Sequence, residues 1–269
     1  SQEAFRHWDE DGEVEAGCAK CHSAAGLPVY LKEGVNVSEH LANGLKCATC
    51  HNDLTTYTRY ESTEVEFPSG AVLSFGEEEL DANLCLNCHQ GRASTNTIAR
   101  AVADLPEDVV DEGLRFSNVH YFAAGATLFG TEAKGIYEYP GQVYNGRNEH
   151  VGAFDTCIEC HDAHALEVVY EDCANCHENV ATPEYLMAIR VSETDFDGNG
   201  DNTEGIAVEI SNMGEMLYAA MQAYAEATEG VDGIVYDSHA YPYFFNDAGD
   251  RYATWTPRLL KAAYNYQYY

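Results

Sequence analysis

The sequence predicts a mostly irregular chain with a few α-helices and minor β-hairpins, cored by prosthetic groups rather than by a conventional apolar interior. Three observations lead there. All ten cysteines fall into five C-x-x-C-H blocks, with none left over. Of eleven histidines, five stand in those blocks and six outside them. The clearest helical periodicity lies after residue 178, where the composition changes.

The blocks are Cys18-Ala-Lys-Cys21-His22, Cys47-Ala-Thr-Cys50-His51, Cys85-Leu-Asn-Cys88-His89, Cys157-Ile-Glu-Cys160-His161 and Cys173-Ala-Asn-Cys176-His177. This pattern attaches c-type haem: two thiols bond the porphyrin edge and the next histidine ligates iron. A thiol redox pair needs no following histidine, and a zinc knuckle does not explain five identical units. Disulfides have no material. Five haem c groups on 269 residues leave little protein for a separate core. The expectation is a single elongated pentahaem domain over residues 1–269. It has an N-terminal arm (1–17), a motif region (18–177) and a helical C-terminal part (178–269).

Iron held by histidine on both sides requires a second imidazole per haem. His7, His40, His120, His150, His164 and His239 are the candidates, so at least one is spare or shared. His40 and His150 each stand seven residues before a block cysteine, Cys47 and Cys157, which predicts equivalent roles. Methionine would raise the reduction potential. However, Met213, Met216 and Met221 lie at helical spacing and read as core packing, with Met187 on a similar apolar face.

Formal charge is −31, from 45 acidic residues against 14 basic ones. Such a surface repels nucleic acid and anionic lipid, and it favours solubility, cation binding or high salt. The chain begins without an initiator methionine, an apolar leader or a membrane-spanning run. Because c-type haem is attached outside the cytoplasmic membrane, a signal peptide is expected to have been removed and the protein to be extracellular or periplasmic.

In chain order, residues 1–17 read as a mobile arm around His7 and Trp8. Thr63–Phe67, Pro68-Ser69-Gly70 and Ala71–Phe75 read as strand, turn and returning strand. Residues 90–156 read as sparse in regular structure, folding about Pro140-Gly141 and supplying His120 and His150. Thr182-Pro183 opens a short helix to about Arg190.

Asp195-Phe-Asp197-Gly-Asn199-Gly200-Asp201 then matches the first seven positions of an EF-hand-type calcium loop. Ile206 stands where the bidentate glutamate belongs, so Glu204 or Glu209 would complete the shell. Ile206, Ile210, Met213, Leu217, Met221 and Tyr224 mark the apolar stripe of the clearest helix, with Glu209, Glu215 and Glu226 elsewhere on the wheel and Gly230 at its end. A last helix starts at Thr256-Pro257 and runs to about Tyr264. The aromatic end from Tyr264 to Tyr269 covers apolar surface, in its own chain or a neighbour's.

On these blocks, the supply of outlying histidines and the sparse regular structure, the chain resembles exported multihaem c-type cytochromes. Among them are those whose subunits polymerise into conductive extracellular filaments. Residues 119–204 are also similar to parts of larger polyhaem surface cytochromes. The resemblance implies stacked haems and a homopolymer joined through haem stacking and terminal segments. It also implies that His7 could be donated across an interface, and that redox partners lie at the cell surface or among external acceptors. A discrete periplasmic or cell-surface shuttle is the alternative. A multihaem oxidoreductase is disfavoured because catalysis needs an open iron face and no C-x-x-C-K block is present.

Overall fold

The computed structural model describes residues 2–152, 154–178 and 180–269; Ser1, the first residue of the expected arm, lies outside them. Its helices are α1 (Ala16–His22), α2 (Gly26–Glu33), α3 (Cys47–Cys50), α4 (Leu80–His89), α5 (Thr95–Ala101), α6 (Ala124–Phe129), α7 (Tyr170–Cys173), α8 (Pro183–Met187), α9 (Ile206–Ala227) and α10 (Pro257–Tyr268). Two-residue strands β1 (Glu13–Val14), β2 (Glu39–His40), β3 (Val65–Glu66), β4 (Val72–Leu73), β5 (Val235–Tyr236) and β6 (Phe244–Phe245) pair as three antiparallel ribbons, β1 with β2, β3 with β4 and β5 with β6.

The chain divides into two compact units, each drawn from three stretches. One comprises Ser1–Gly91, Tyr121–Ala133 and Gly146–Glu159; the other Arg92–His120, Lys134–Asn145 and Cys160–Tyr269.

In the first unit the expected hairpin forms, with Val65 opposite Leu73. Alternation decides its faces. Val65 and Phe67 are buried while Glu64 and Glu66 face outward, as a period of two requires. Gly70, at φ +85°, closes the turn by donating its N–H to the Phe67 carbonyl at 2.8 Å. The buried pair joins Leu86 of α4 and Ala126 and Phe129 of α6 in one cluster. Residues 4–17 are anchored at a few points: Trp8 and Val14 are buried with Ala19 of α1 and β1 pairs with β2, while most of the other side chains are exposed. Burying aromatic surface offsets the entropy of ordering so short a tether.

The second unit contains an apolar cluster of its own around Met221, Tyr243, Phe244, Tyr252, Trp255 and Leu260. None of its buried residues comes from a C-x-x-C-H block, so here protein side chains form a core where the sequence reading expects porphyrin. Trp255 sits within 6 Å, ring centre to ring centre, of Phe116, Phe244 and Tyr252. Burial pushes the Tyr252 hydroxyl up to about 12.

Helix α9 corrects the expected stripe. Gly214, Met221 and Ala225 are buried, whereas Ile210, Met213 and Met216 are exposed. The expected stripe holds in the second half, where Met221 is buried and Leu217 and Tyr224 pack on the apolar cluster, and fails in the first half. The cause is Gly214: a Cβ there would stand 2.8 Å from Tyr269 Cε1, so the terminal ring lies directly on the helix backbone. Met187 is exposed as well, which removes three of the four methionines from the core.

Helix α8 ends at Met187, short of Arg190. The start of α9 abuts it so closely that a Cβ on Gly205 would meet the Met187 carbonyl at 2.2 Å. Helix α10 runs four residues beyond the expected end because its tyrosines are used inside this unit. Tyr264 is fully buried, donating to the Gly135 carbonyl at 2.7 Å, and Tyr266 stacks on Tyr218.

Pro257 and Thr256 start α10 as expected: the Thr256 hydroxyl accepts the Leu259 N–H at 3.2 Å and pairs with Tyr224 Oη at 2.9 Å. Thr256→Ala removes the cap and one of the two contacts of the Tyr224 hydroxyl, which also donates to Asp108 Oδ1 at 3.0 Å. The expected cost is about 1–2 kcal/mol of unfolding free energy, read by urea titration against the parent. Among the described residues no helix is long and apolar enough to cross a membrane.

Candidate functional site

A helical turn explains the block spacing, because residues i, i+3 and i+4 share one face. Cys18, Cys21 and His22 lie in α1, and Cys85, Cys88 and His89 end α4. In the second block α3 spans both cysteines and the His51 N–H donates to the Cys47 carbonyl at 2.8 Å. The fifth repeats this just past α7, with the Cys176 and His177 N–H groups donating to the Cys173 carbonyl at 3.1 and 2.9 Å. The fourth is a turn, not a regular helix. Its entry is fixed by Glu159, whose carboxylate accepts the Asp155 and Thr156 N–H groups at 3.0 and 2.7 Å. All ten thiols are free of disulfides.

Three of the five block histidines are oriented by backbone carbonyls. Nδ1 of His22 donates to Ala4 at 2.8 Å, Nδ1 of His51 to Tyr57 at 2.8 Å and Nδ1 of His89 to Phe122 at 2.7 Å. A carbonyl only accepts, so the Nδ1 proton is fixed and Nε2 keeps the lone pair that a metal requires. The His22 ring is further enclosed by Trp8, 5.1 Å away between ring centres, and by Phe5 at 6.3 Å. Sequence reasoning missed these orienting groups. A backbone carbonyl carries no side-chain signal, and Phe5 and Trp8 show no periodicity.

The first unit also gathers thiols of different blocks. Cys88 is pushed well above the usual thiol range by a hydrogen bond with Cys21 and by burial, and Cys21 Sγ reaches the Asn87 carbonyl at 3.7 Å. Cys85 is lowered by its hydrogen bond with Cys157, and Cys50 is raised by burial and by the nearby Cys85. The third block therefore adjoins the first, second and fourth. Among the described residues no group of three His, Cys, Asp or Glu side chains is placed to hold a metal ion, at the thiol blocks or in the acidic loop at 195–204. Thiols paired one turn apart beside an Nδ1-anchored histidine fit covalent haem attachment instead.

The outlying histidines are dispersed. His7 packs edge-on to Trp8, whose ring meets His22, so it lies beside the first block of its own chain. His40 stands opposite Glu13 in the ribbon leading into α1. His120 has a left-handed backbone, φ +76°, one residue after Val119, whose carbonyl accepts the Arg92 N–H at 2.8 Å. His150 turns Nδ1 to the Val151 carbonyl at 2.8 Å. His164 follows the fourth block on a turn made by Asp162, whose carboxylate accepts the His164 and Ala165 N–H groups and is lowered by them. His239 is exposed between β5 and β6, 3.6 Å from Asp237.

In the acidic loop, Asp195 accepts from the Gly198 and Gly200 N–H groups, Asp197 from Asn199 and Asp201 from Thr203. The Asn199 amide bridges Asp197 and Glu204 at 3.0 and 2.7 Å. Glu209, expected on an outward face of its helix, is fully buried. It pairs with Arg190 and accepts the Phe196 N–H at 2.6 Å.

Comparison with known proteins agrees with this chemistry. A family described as cytochrome c7 and related cytochrome c matches residues 3–104. The chain is 25% identical to the C-type polyheme cytochrome OmcB of Geobacter sulfurreducens over 305 residues, covering 91% of this chain and 36% of that protein. It is 26% identical to the C-type polyheme cytochrome OmcC of the same organism over 294 residues, covering 90% and 35%. The chain thus spans little more than a third of the length of these curated relatives. No solved structure matches it. Block geometry, family match and polyhaem relatives agree: the chain is similar to cytochrome c7-type proteins over residues 3–104 and to part of the larger C-type polyheme cytochromes over most of its length.

Proposed function

We propose that the chain binds five haem c groups and passes electrons along them outside the cell, with histidine on both sides of each iron. The single observation that carries this is the complete use of ten cysteines in five C-x-x-C-H blocks. Cys18/Cys21, Cys47/Cys50, Cys85/Cys88, Cys157/Cys160 and Cys173/Cys176 would hold the porphyrins, and His22, His51, His89, His161 and His177 the irons. The opposite faces are supplied from the six outlying histidines, of which at least one is spare or shared. A full coordination shell changes little between ferric and ferrous iron, which suits a carrier rather than an enzyme. Low-temperature electron paramagnetic resonance tests the ligation. Five low-spin ferric signals are expected, and a high-spin signal scaling with protein would contradict saturated iron.

In the finer form of this reading, copies polymerise and His7 is shared across the interface. Packing of His7 beside Trp8 and burial of Tyr264 within its own unit favour a second reading, a discrete shuttle. Electron imaging of the purified protein separates the two. Filaments lost in His7→Ala with haem content intact would establish the first, and single particles the second.

The loop at 195–204 is proposed as a structural calcium site built from Asp195, Asp197, Asn199, Asp201 and Glu204. The sharing of Asn199 between Asp197 and Glu204 supports Glu204, not Glu209, as the completing carboxylate. Calcium at one hundred times its Kd is expected to add about 2.7 kcal/mol to stability. A melting temperature indifferent to calcium and to chelator would contradict the site.

A further inference from the structure

Two loops in the first unit share a construction that coordination by a block histidine does not require. The carbonyls holding His51 and His89 belong to Tyr57 and Phe122, and both residues have a left-handed backbone, φ +55° and +52°. Bulky aromatic residues avoid that region, and no glycine or asparagine has been placed there to relieve it. Both also expose large apolar side chains, Tyr57 at 63% and Phe122 at 81%.

The Tyr57 loop is closed by the His51↔Arg59 bridge and by Asp53, which accepts the Thr55 and Thr56 N–H groups. The fourth block has a parallel loop in the second unit. There Asp162 caps the turn, the His161↔Val168 bridge closes it, and Leu166 is left-handed at φ +59° and 61% exposed. Strain, exposure and a fixed place beside a block histidine thus recur together, whereas a random loop defect would show one of them.

We propose that Tyr57 and Phe122 are positioning residues for the haems of the second and third blocks: the carbonyl holds the imidazole while the side chain covers the porphyrin. This rests on the haem reading above. An anchored Nδ1 makes the imidazole a stronger donor, which favours ferric iron and lowers the potential. An apolar cover excludes water, which disfavours the more highly charged ferric form and raises it. One residue therefore applies two opposed controls, and substitutions can separate them.

The experiment is a spectroelectrochemical titration of the full haem-loaded protein carrying Phe122→Asn or Phe122→Val, repeated at Tyr57. Haem is counted on each sample. Asparagine tolerates the left-handed backbone, so it keeps the anchor and loses the cover. One of the five transitions is expected to fall by about tenfold in its reduction equilibrium, about 59 mV for one electron. Valine, which is β-branched, abandons that backbone and releases the imidazole while keeping an apolar side chain, so the same transition is expected to lie above that of the asparagine variant. Should the valine variant not fold, the asparagine variant decides alone. Potentials all equal to the parent's, or all five shifted together, would overturn the proposal. Blocks without haem in the parent would instead overturn the haem reading.

Discussion

Replacing Cys85 and Cys88 together by alanine is expected to lower bound haem from five to four and to disconnect the remaining groups more severely than loss of any other block. The reason is position. Cys88 lies against Cys21, and Cys85 lies against Cys157 and near Cys50, so the third attachment point adjoins those of three other blocks. The fifth block, in the second unit, is the control. Cys173→Ala with Cys176→Ala also removes one haem but leaves that junction intact. Rapid mixing with a reductant should give one slow phase in the third-block variant that the fifth-block variant lacks. Identical kinetics in the two variants would remove the third block from its central place.

Glu209→Ala is expected to destabilise the protein by about 3–5 kcal/mol, the usual result of stripping one partner from a buried ion pair. Glu209 is fully buried, and the Arg190 side chain facing it is 8% exposed. Arg190 also donates to the Ser192 carbonyl at 2.7 Å, the Glu204 carbonyl at 3.0 Å and the Thr194 carbonyl. Through this pair the acidic loop, the segment after α8 and the first turn of α9 are tied into one piece. Removing the carboxylate leaves the guanidinium buried beside carbonyls with its paired counter-charge gone. Glu209→Gln keeps the shape and the Phe196 contact, so it should lose less. Chemical denaturation measures both. A loss under about 1 kcal/mol for the alanine variant would mean that solvent reaches the pair freely.

The blocks proposed for attachment are legible as a pattern because that pattern is local, five residues long, and its spacing matches one helical turn in α1 and α4. The hairpin at 63–75 was legible for a similar reason, since alternation around Pro68-Ser69-Gly70 determines which side chains meet. The start of α10 was equally open, with Thr256 and Pro257 where a cap and first turn need them.

What could not be read depends on distant partners. Glu209 looks outward on a helical wheel because a wheel knows nothing of Arg190, nineteen residues back. The first half of the α9 stripe was misplaced because Gly214 carries no apolar weight, yet it is where the Tyr269 ring lands. Phe5 and Trp8 read as an arm because their burial comes from α1 and the His22 ring, not from any spacing of their own. The anchors of His22, His51 and His89 are main-chain oxygens, which no sequence pattern marks.

The central claim is five covalently attached haems, and intact-mass spectrometry of the purified protein, with a pyridine haemochrome assay on the same sample, tests it most directly. The account predicts a mass increment of five haems and no thiol reactive to alkylation under denaturing conditions. A smaller increment, with alkylation of both cysteines of one block, would contradict it and identify the block that carries none.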